Sequence, residues 1–424
     1  DERCDLRPVG RGTVTPLSTP VTRRVCNMAE FTTAFGQDGP EPTRPSSAMF
    51  LTACAVCAKA LNNDEARECE KCGTRFCGET CENEHRAQAK ICDDTAEDGG
   101  AELIHINQKG RKAWEHAVAS CTEEAVGKTC YICMEIVDAE GEGCVRGCAC
   151  RGDSAGFAHL SCLAQQAHGI LHARIPGDPG ENLYEFAYPL IGPAIDGWHM
   201  CQICKSPHTK DIATALGWAC FRLYMGRPEE DGIRCMAQTL LSNSLQKEDT
   251  YQEALPIIEA LLATVRRAWP DNTDEIIQTS ANLANVYKNC DKEEEAATIY
   301  KDLYEQMLTL HGPDVQAAAV GSNYAQTLIQ AERFADARAV GREIVQWAHR
   351  NPDSPHSFHI VKALMDSLYK DPNASVNDLR EAVQVFENIP ATSSRVLGSA
   401  HPDTKKYEVI LAKAKKALAE KSSA

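Results

Sequence analysis

The chain has 424 residues, 43% hydrophobic and 25% charged, an ordinary globular composition with room for about three domains. Its net charge of −16 argues against a nucleic-acid surface, which needs an excess of Lys and Arg. No apolar run reaches the roughly 18 residues of a membrane span; the nearest, Ile212 to Met225, is too short and is broken by Arg222. Of the 21 cysteines, those in paired spacings lie within Cys54–Cys204, and only Cys220, Cys235 and Cys290 follow. With no secretory signal at the start, that clustering reads as zinc in the cytosol or nucleus rather than disulfides in a secreted protein. The chain opens on Asp1 rather than Met, as a fragment would, with Met28 and Met49 as candidate starts.

Residues 1–48 are rich in Pro, Thr, Ser and Gly and lack periodic aliphatics, so a disordered tail is expected there, with Cys4 and Cys26 as bystanders. In residues 49–95 the order is Cys54-x2-Cys57, Cys69-x2-Cys72, Cys77-x3-Cys81, then His85 and Cys92. This pattern, with Phe76 before Cys77, resembles a MYND finger, a protein-docking module. The resemblance implies one zinc on Cys54, Cys57, Cys77 and Cys81 and a second on Cys69, Cys72, His85 and Cys92. The family usually has a His four residues before its last Cys, where Gln88 and Ala89 stand here. His85 and Cys92 are seven residues apart, about 10.5 Å along an unbroken helix, and meet on one ion only if the helix ends between them. One zinc or two therefore stays open. The methyltransferase class that carries MYND fingers needs an Asn-His-Ser-Cys-like segment, which this chain lacks. Residues 96–126 read as a connector with a helix near Lys112–Ala119, where His105 and His116 are spare.

Residues 127–208 carry the most specific pattern: Cys130-x2-Cys133, Cys148-x-Cys150, His159-x2-Cys162 and Cys201-x2-Cys204. Eight soft ligands in four close pairs are what two tetrahedral zinc ions require. The Cys148-x-Cys150 step, Arg151-Gly152 after it and His in fifth place resemble the RING-CH (RING variant) finger of ubiquitin ligases. A PHD finger would instead separate the third and fourth ligands further and put a Trp two before the seventh; here Trp198 stands three before it. Cys150 to His159 is one residue longer than usual, and Cys162 to Cys201 carries an insert from Ile175 to Pro193. Cys144 is a rival third ligand, although the C-x-C pair favours Cys148 and Cys150. The resemblance implies a cross-brace: Cys130, Cys133, His159 and Cys162 on one ion, and Cys148, Cys150, Cys201 and Cys204 on the other. It also implies a ubiquitin-conjugating enzyme as partner, with contacts at Ile132 in the first zinc loop, Leu163 after the sixth ligand and Lys205 after the eighth. No catalytic base or nucleophile is needed, because such a ligase works by positioning. Four protein ligands per ion leave no open position for hydrolytic water.

Residues 209–421 turn to Ala/Leu/Glu-rich segments at helical period. Ala254, Ala296, Ala337 and Ala382 recur at intervals of 42, 41 and 45 residues. Twelve before the first three stand Ser242, Ala284 and Ala325; nine before stand Leu245, Tyr287 and Leu328; thirteen before stand Leu241, Leu283 and Tyr324. Small residues at crossings and large ones between them suit stacked αα-hairpins. Asn282–Tyr287 and Asn323–Leu328 resemble tetratricopeptide repeats of the kinesin-light-chain type. Gly312-Pro313 and Asn351-Pro352 punctuate the repeats, and Thr404 to Glu420 is a lysine-rich capping helix. Asn282, Asn285, Asn323 and Gln326 are candidates to line a groove for a protein or peptide ligand. Ile212 to Met225 reads as a buried helix welding the zinc module to the solenoid. The fold expected is small zinc-stabilised α+β modules followed by an all-α tetratricopeptide-type solenoid. The function expected is a RING-CH-type ubiquitin ligase that recruits substrate through its repeats, the competing class being a non-enzymatic scaffold.

Overall fold

The computed structural model describes residues 50–423 apart from 52, 60, 62–64, 139–140, 153–154, 175–191, 193–194 and 353. The tail with Cys4 and Cys26, and nearly all of the Ile175–Pro193 insert, lie outside the described residues.

Strand content is slight among the described residues. β1 (Arg67–Glu68) pairs antiparallel with β2 (Arg75–Phe76), Arg67 opposite Phe76. Isolated bridges join Val137 to Gly143, Val145 to Ala158 and Met200 to Pro207. The expected α+β modules are thus turns and short helices, with backbone bonds mostly inside the turns that carry cysteines.

α1 (Glu79–Arg86) and α2 (Ala89–Glu97) are separate helices, broken at Ala87 and Gln88. α3 (Ala101–Ala125) is far longer than the helix expected near Lys112–Ala119. Its length follows from having two partners. Leu103 and Ile106, near its start, pack with Phe50, Trp218 and Phe221, while Trp114, Ala117, Cys121 and Ala125 pack with Val145, Phe157 and Leu160. α4 (Leu160–Arg174) follows His159, and a 3₁₀ turn at Asp196–Trp198 buries Trp198 completely before Cys201.

α5 (Lys210–Tyr224) is buried almost along its whole length and packs on α3, α4 and α6 (Gly232–Lys247). It is the weld that the Ile212–Met225 stretch predicts. Arg222 donates to Asn107 of α3 at 2.8 Å, which gives a buried guanidinium a partner. α7 (Tyr251–Ala268), α8 (Thr273–Lys288), α9 (Glu293–His311), α10 (Val315–Gln330), α11 (Phe334–Arg350), α12 (Pro355–Tyr369) and α13 (Val376–Phe386) then stack serially. α14 (Ile389–Leu397) and α15 (Pro402–Ser423) close the array. Asp231, Asn272, Asp314 and Ser375 cap helices by accepting backbone N–H bonds. Ala254, Ala296, Ala337 and Ala382, the residues of the repeat register, are all fully buried. At Gly321 a Cβ would sit 2.7 Å from Ile344 and 2.8 Å from Tyr304, so α10 crosses its neighbours at a spacing only glycine permits. No helix among the described residues is long and apolar enough to cross a membrane.

Candidate metal centres and the repeat groove

The paired cysteines share one local design. In Cys54–Cys57, Cys69–Cys72, Cys130–Cys133 and Cys201–Cys204 the residue after the second Cys donates its N–H to the first Cys carbonyl, at 2.8–2.9 Å. The first Cys N–H in turn donates to the carbonyl five residues on, again at 2.8–2.9 Å. This turn needs a left-handed backbone just after the pair, and Ala58, Gly73, Met134 and Lys205 have φ of 58°, 73°, 64° and 57°. Three of those four are not glycine, a conformation that L-residues hold only when the surroundings fix it. The turn aims both sulfurs to one side.

Four groups of donor atoms result, each with every member within 4.8 Å of the others: Cys54, Cys57, Cys77 and Cys81; Cys69, Cys72, His85 and Cys92; Cys130, Cys133, His159 and Cys162; Cys148, Cys150, Cys201 and Cys204. Sulfur separations are 3.5 Å for Cys57–Cys77, 3.8 Å for Cys77–Cys81, 3.7 Å for Cys69–Cys92 and 3.8 Å for Cys150–Cys201. These match the edge of a tetrahedron centred about 2.3 Å from each sulfur, roughly 3.8 Å, and are far beyond a disulfide's roughly 2.05 Å. The break between α1 and α2 is what lets His85 Nε2 reach 3.3 Å from Cys72 while Cys92 approaches Cys69. His159 turns Nδ1 toward Cys133 (3.3 Å) and Cys162 (3.7 Å), and its Nε2 lies 3.3 Å from the Ile136 carbonyl. A second partner of that kind fixes a ligating imidazole's tautomer and orientation. Ser206 Oγ lies 3.0 Å from Cys204 and accepts from Ala149 N–H at 2.9 Å, joining the two halves of the last group.

The crowding is legible in the thiols. Burial opposes ionisation of Cys54, yet backbone N–H groups of Cys57, Cys77 and Val56 pull it down to about 6. Burial and the neighbouring Cys54 push Cys81 up to about 12. The Cys162 side chain, against burial, holds Cys130 down to about 3, and Cys162 is raised in return. Four sulfurs this close cannot all ionise unless a cation sits among them, so the residues present fit a tetrahedral soft metal ion. Gly156 makes room for the last group: φ is 80°, and a Cβ would fall 2.7 Å from Cys150 Cβ and 2.9 Å from Cys148 Sγ. Cys144, the rival ligand, is outside every group. It is 1% exposed, points at the Lys128 and Ile136 carbonyls, and burial pushes it up to about 12.

The other candidate residues scatter. Ile132 is half-buried and packs against the core beneath the first loop. Leu163, the expected partner contact, is 6% exposed and lies inside that core. Lys205 is exposed, its ammonium donating to Gln202 at 3.0 Å. Apolar side chains that do face out on the loops are Met134, Ile136, Val137 and Ile203. Ile203 stands in the last Cys pair where Ile132 stands in the first, a symmetry already present in the sequence.

In the repeats, Asn285 donates to Gln246 of α6 at 2.9 Å, and Asn282 accepts from Gln278 on its own helix at 3.3 Å. Asn323 and Gln326 line a separate cleft of about 280 Å³ with His356 and His359. The four amides thus lie on α8 and α10 rather than in one pocket.

No protein-family description matches the chain by sequence, and no curated protein matches it either. Among solved structures, a kinesin light chain candidate from Podosopora anserina with nearly identical TPR-like repeats is similar at 19% identity. That match covers 45% of this chain and 89% of the other, with a TM-score of 0.39. BtubC (BKLC) from P. vanneervenii is similar at 17% identity over 51% of this chain and 93% of its own, with a TM-score of 0.34.

Proposed function

We propose that the chain is a RING-CH-type ubiquitin ligase. Zinc fills the four ligand groups, the Cys130–Cys204 module binds a ubiquitin-charged conjugating enzyme, and the helical repeats hold the substrate. The observation that carries the reading is the interleaving. Ligand pairs one and three gather in one group, and pairs two and four in the other. Interleaving fixes two loops side by side, which is what a surface for another protein needs. Zinc's role is structural: with four protein ligands it has no position for substrate, and it locks the loops in place. Catalysis is then positioning of a thioester made elsewhere. With Leu163 in the core, the contact surface consists of Ile132, the exposed Ile203 and Lys205. The Cys54–Cys92 module adds a second protein-docking surface.

A reconstituted self-ubiquitination assay tests this, using zinc-loaded protein, activating enzyme, ATP and a panel of conjugating enzymes. Zinc-dependent ladders that vanish in Ile132→Ala and Cys201→Ser are expected. The burial of Leu163 specifically favours a second reading, a non-enzymatic scaffold, because it shrinks the contact surface. No ladders from any conjugating enzyme, with protein that holds its zinc, would establish the scaffold instead.

A further inference from the structure

The two ends of the helical array carry opposite charge. In α15 six lysines stand against three carboxylates, within a chain whose net charge is −16. At the other end, residues 65–98 hold ten carboxylates against five Lys and Arg. Charge alone would leave each as a solvated surface, but both are also built as flat, firmly held helix faces.

α15 is held from beneath. Thr404, Tyr407 and Ala414 are buried, and the Tyr407 ring packs 6.0 Å from Phe358 and 5.8 Å from Phe386. Its outward face runs Lys405, Val409, Lys413 and Lys416, one side of the helix at successive turns. Val409 is 54% exposed amid these lysines, and Lys405 and Lys413 make no ion pair among the described residues. α2 repeats the design with the sign reversed. Cys92 turns inward, its sulfur 3.7 Å from that of Cys69, which leaves Ile91, Asp94 and Asp98 on one outward face with Glu97 beside them. Ile91 is likewise 54% exposed, and Asp94, Glu97 and Asp98 make no ion pair among the described residues. α2 packs on α1 and α3 at one end, α15 on α13 and α14 at the other. The serial stack from α5 to α13 stands between them, so each face meets its complement on a second copy.

We propose that α15 of one copy docks on α2 of the next, Val409 against Ile91, with Lys405, Lys413 and Lys416 facing Asp94, Glu97 and Asp98. An aliphatic centre ringed by charge is the anatomy of a protein interface. The opposite charges steer the encounter and fix its register, and the paired aliphatics slow release. Because the two faces differ, the contact is heterologous: each copy keeps one face of each kind, and copies form an open row or close into a ring. Neither helix carries Ile132, Ile203 or Lys205, so the contact is independent of the conjugating-enzyme surface proposed above.

Sedimentation velocity of the zinc-loaded full chain tests the contact. Concentration-dependent association is expected at low ionic strength, fading toward 1 M salt, where the screening length is roughly 3 Å. Lys405→Glu with Lys413→Glu, and separately Asp94→Lys with Asp98→Lys, should each leave monomers. Mixing the two variants should restore association, since each offers the face the other lacks, and recovery also shows that both are folded. Val409→Ser, which keeps every charge, should weaken association roughly three- to tenfold. Asp302→Lys with Glu305→Lys, a matched reversal at exposed positions of α9, should leave it unchanged. A chain that is monomeric at every salt concentration would overturn the contact. Equal loss in the α9 variant would overturn it too, making net charge alone the cause. Binding of a monomeric chain to phosphatidylserine vesicles, lost with Lys405→Glu and Lys413→Glu, would assign the basic face to an anionic membrane instead.

Discussion

The residues at 50–97 and the repeat helices from Gly232 onward are ordered by different forces. Among the described residues of the first region, the buried apolar side chains other than cysteine are Phe50 and Phe76. The rest of its interior is the candidate ligand cysteines and the polar groups Thr74, Arg75, Glu82 and His85. The repeats instead bury Leu, Ile, Tyr and Ala from successive helices in continuous cores. The Cys130–Cys204 module stands between these extremes: Phe157, Leu160, Leu171 and Trp198 share a core with α3 and α5. On the proposed reading, a metal ion substitutes for a core where the chain is too short to build one, and sharpens a core that already exists elsewhere.

Metal removal should separate the regions most strongly. With a strong chelator, residues 54–97 should unfold and become the first site of proteolysis, while the repeats keep most of the helical circular dichroism. The scale is that of structural zinc, about 10–16 kcal/mol of binding free energy. A uniform melt of the whole chain would break the comparison. Leu328→Ala, at a fully buried repeat position, should cost about 2–5 kcal/mol in denaturant melts without changing metal content. Gly156→Ala should act oppositely, costing about 1–3 kcal/mol through its left-handed φ and the crowded Cys150, and loosening one ion of the Cys130–Cys204 module. Metal titration against a chromogenic chelator would read that loss.

The smallest expected effect concerns the joint between α3 and the module, where Trp114 Nε1 donates to the Glu142 carboxylate. Burial pushes Glu142 up from 4.5 to about 7, outweighing the Trp114 bond that lowers it. A carboxyl raised in the folded state adds stability below its unfolded value, and loses it as pH rises through the folded one. Glu142→Gln should therefore flatten the fall in stability between pH 4.5 and about 7, by about 1 kcal/mol or less, as seen in melts across that range.

Much of this arrangement is written in local spacing. The close pairs of candidate ligands are read from Cys and His intervals, their assembly into four groups is what the resemblance to MYND and RING-CH fingers implies, and the repeat register follows from alanines 41–45 residues apart. The weld at α5 is visible as an apolar helix-length run. What escapes local reading depends on partners distant in sequence. α3 looks short because its apolar residues serve two different cores, so no single periodicity runs its length. Leu163 looks available because nothing near it in sequence reveals the core that buries it. The left-handed turns at Ala58, Met134 and Lys205 carry no glycine to announce them.

The central claim is that sixteen residues form four metal centres. Native mass spectrometry of the full chain, compared with the same protein under denaturing conditions, counts the ions directly. The account predicts four zinc ions per chain, with the ligand cysteines protected from alkylation until chelator is added. Fewer than four ions, with cysteines of the missing group alkylated in the folded protein, would contradict it.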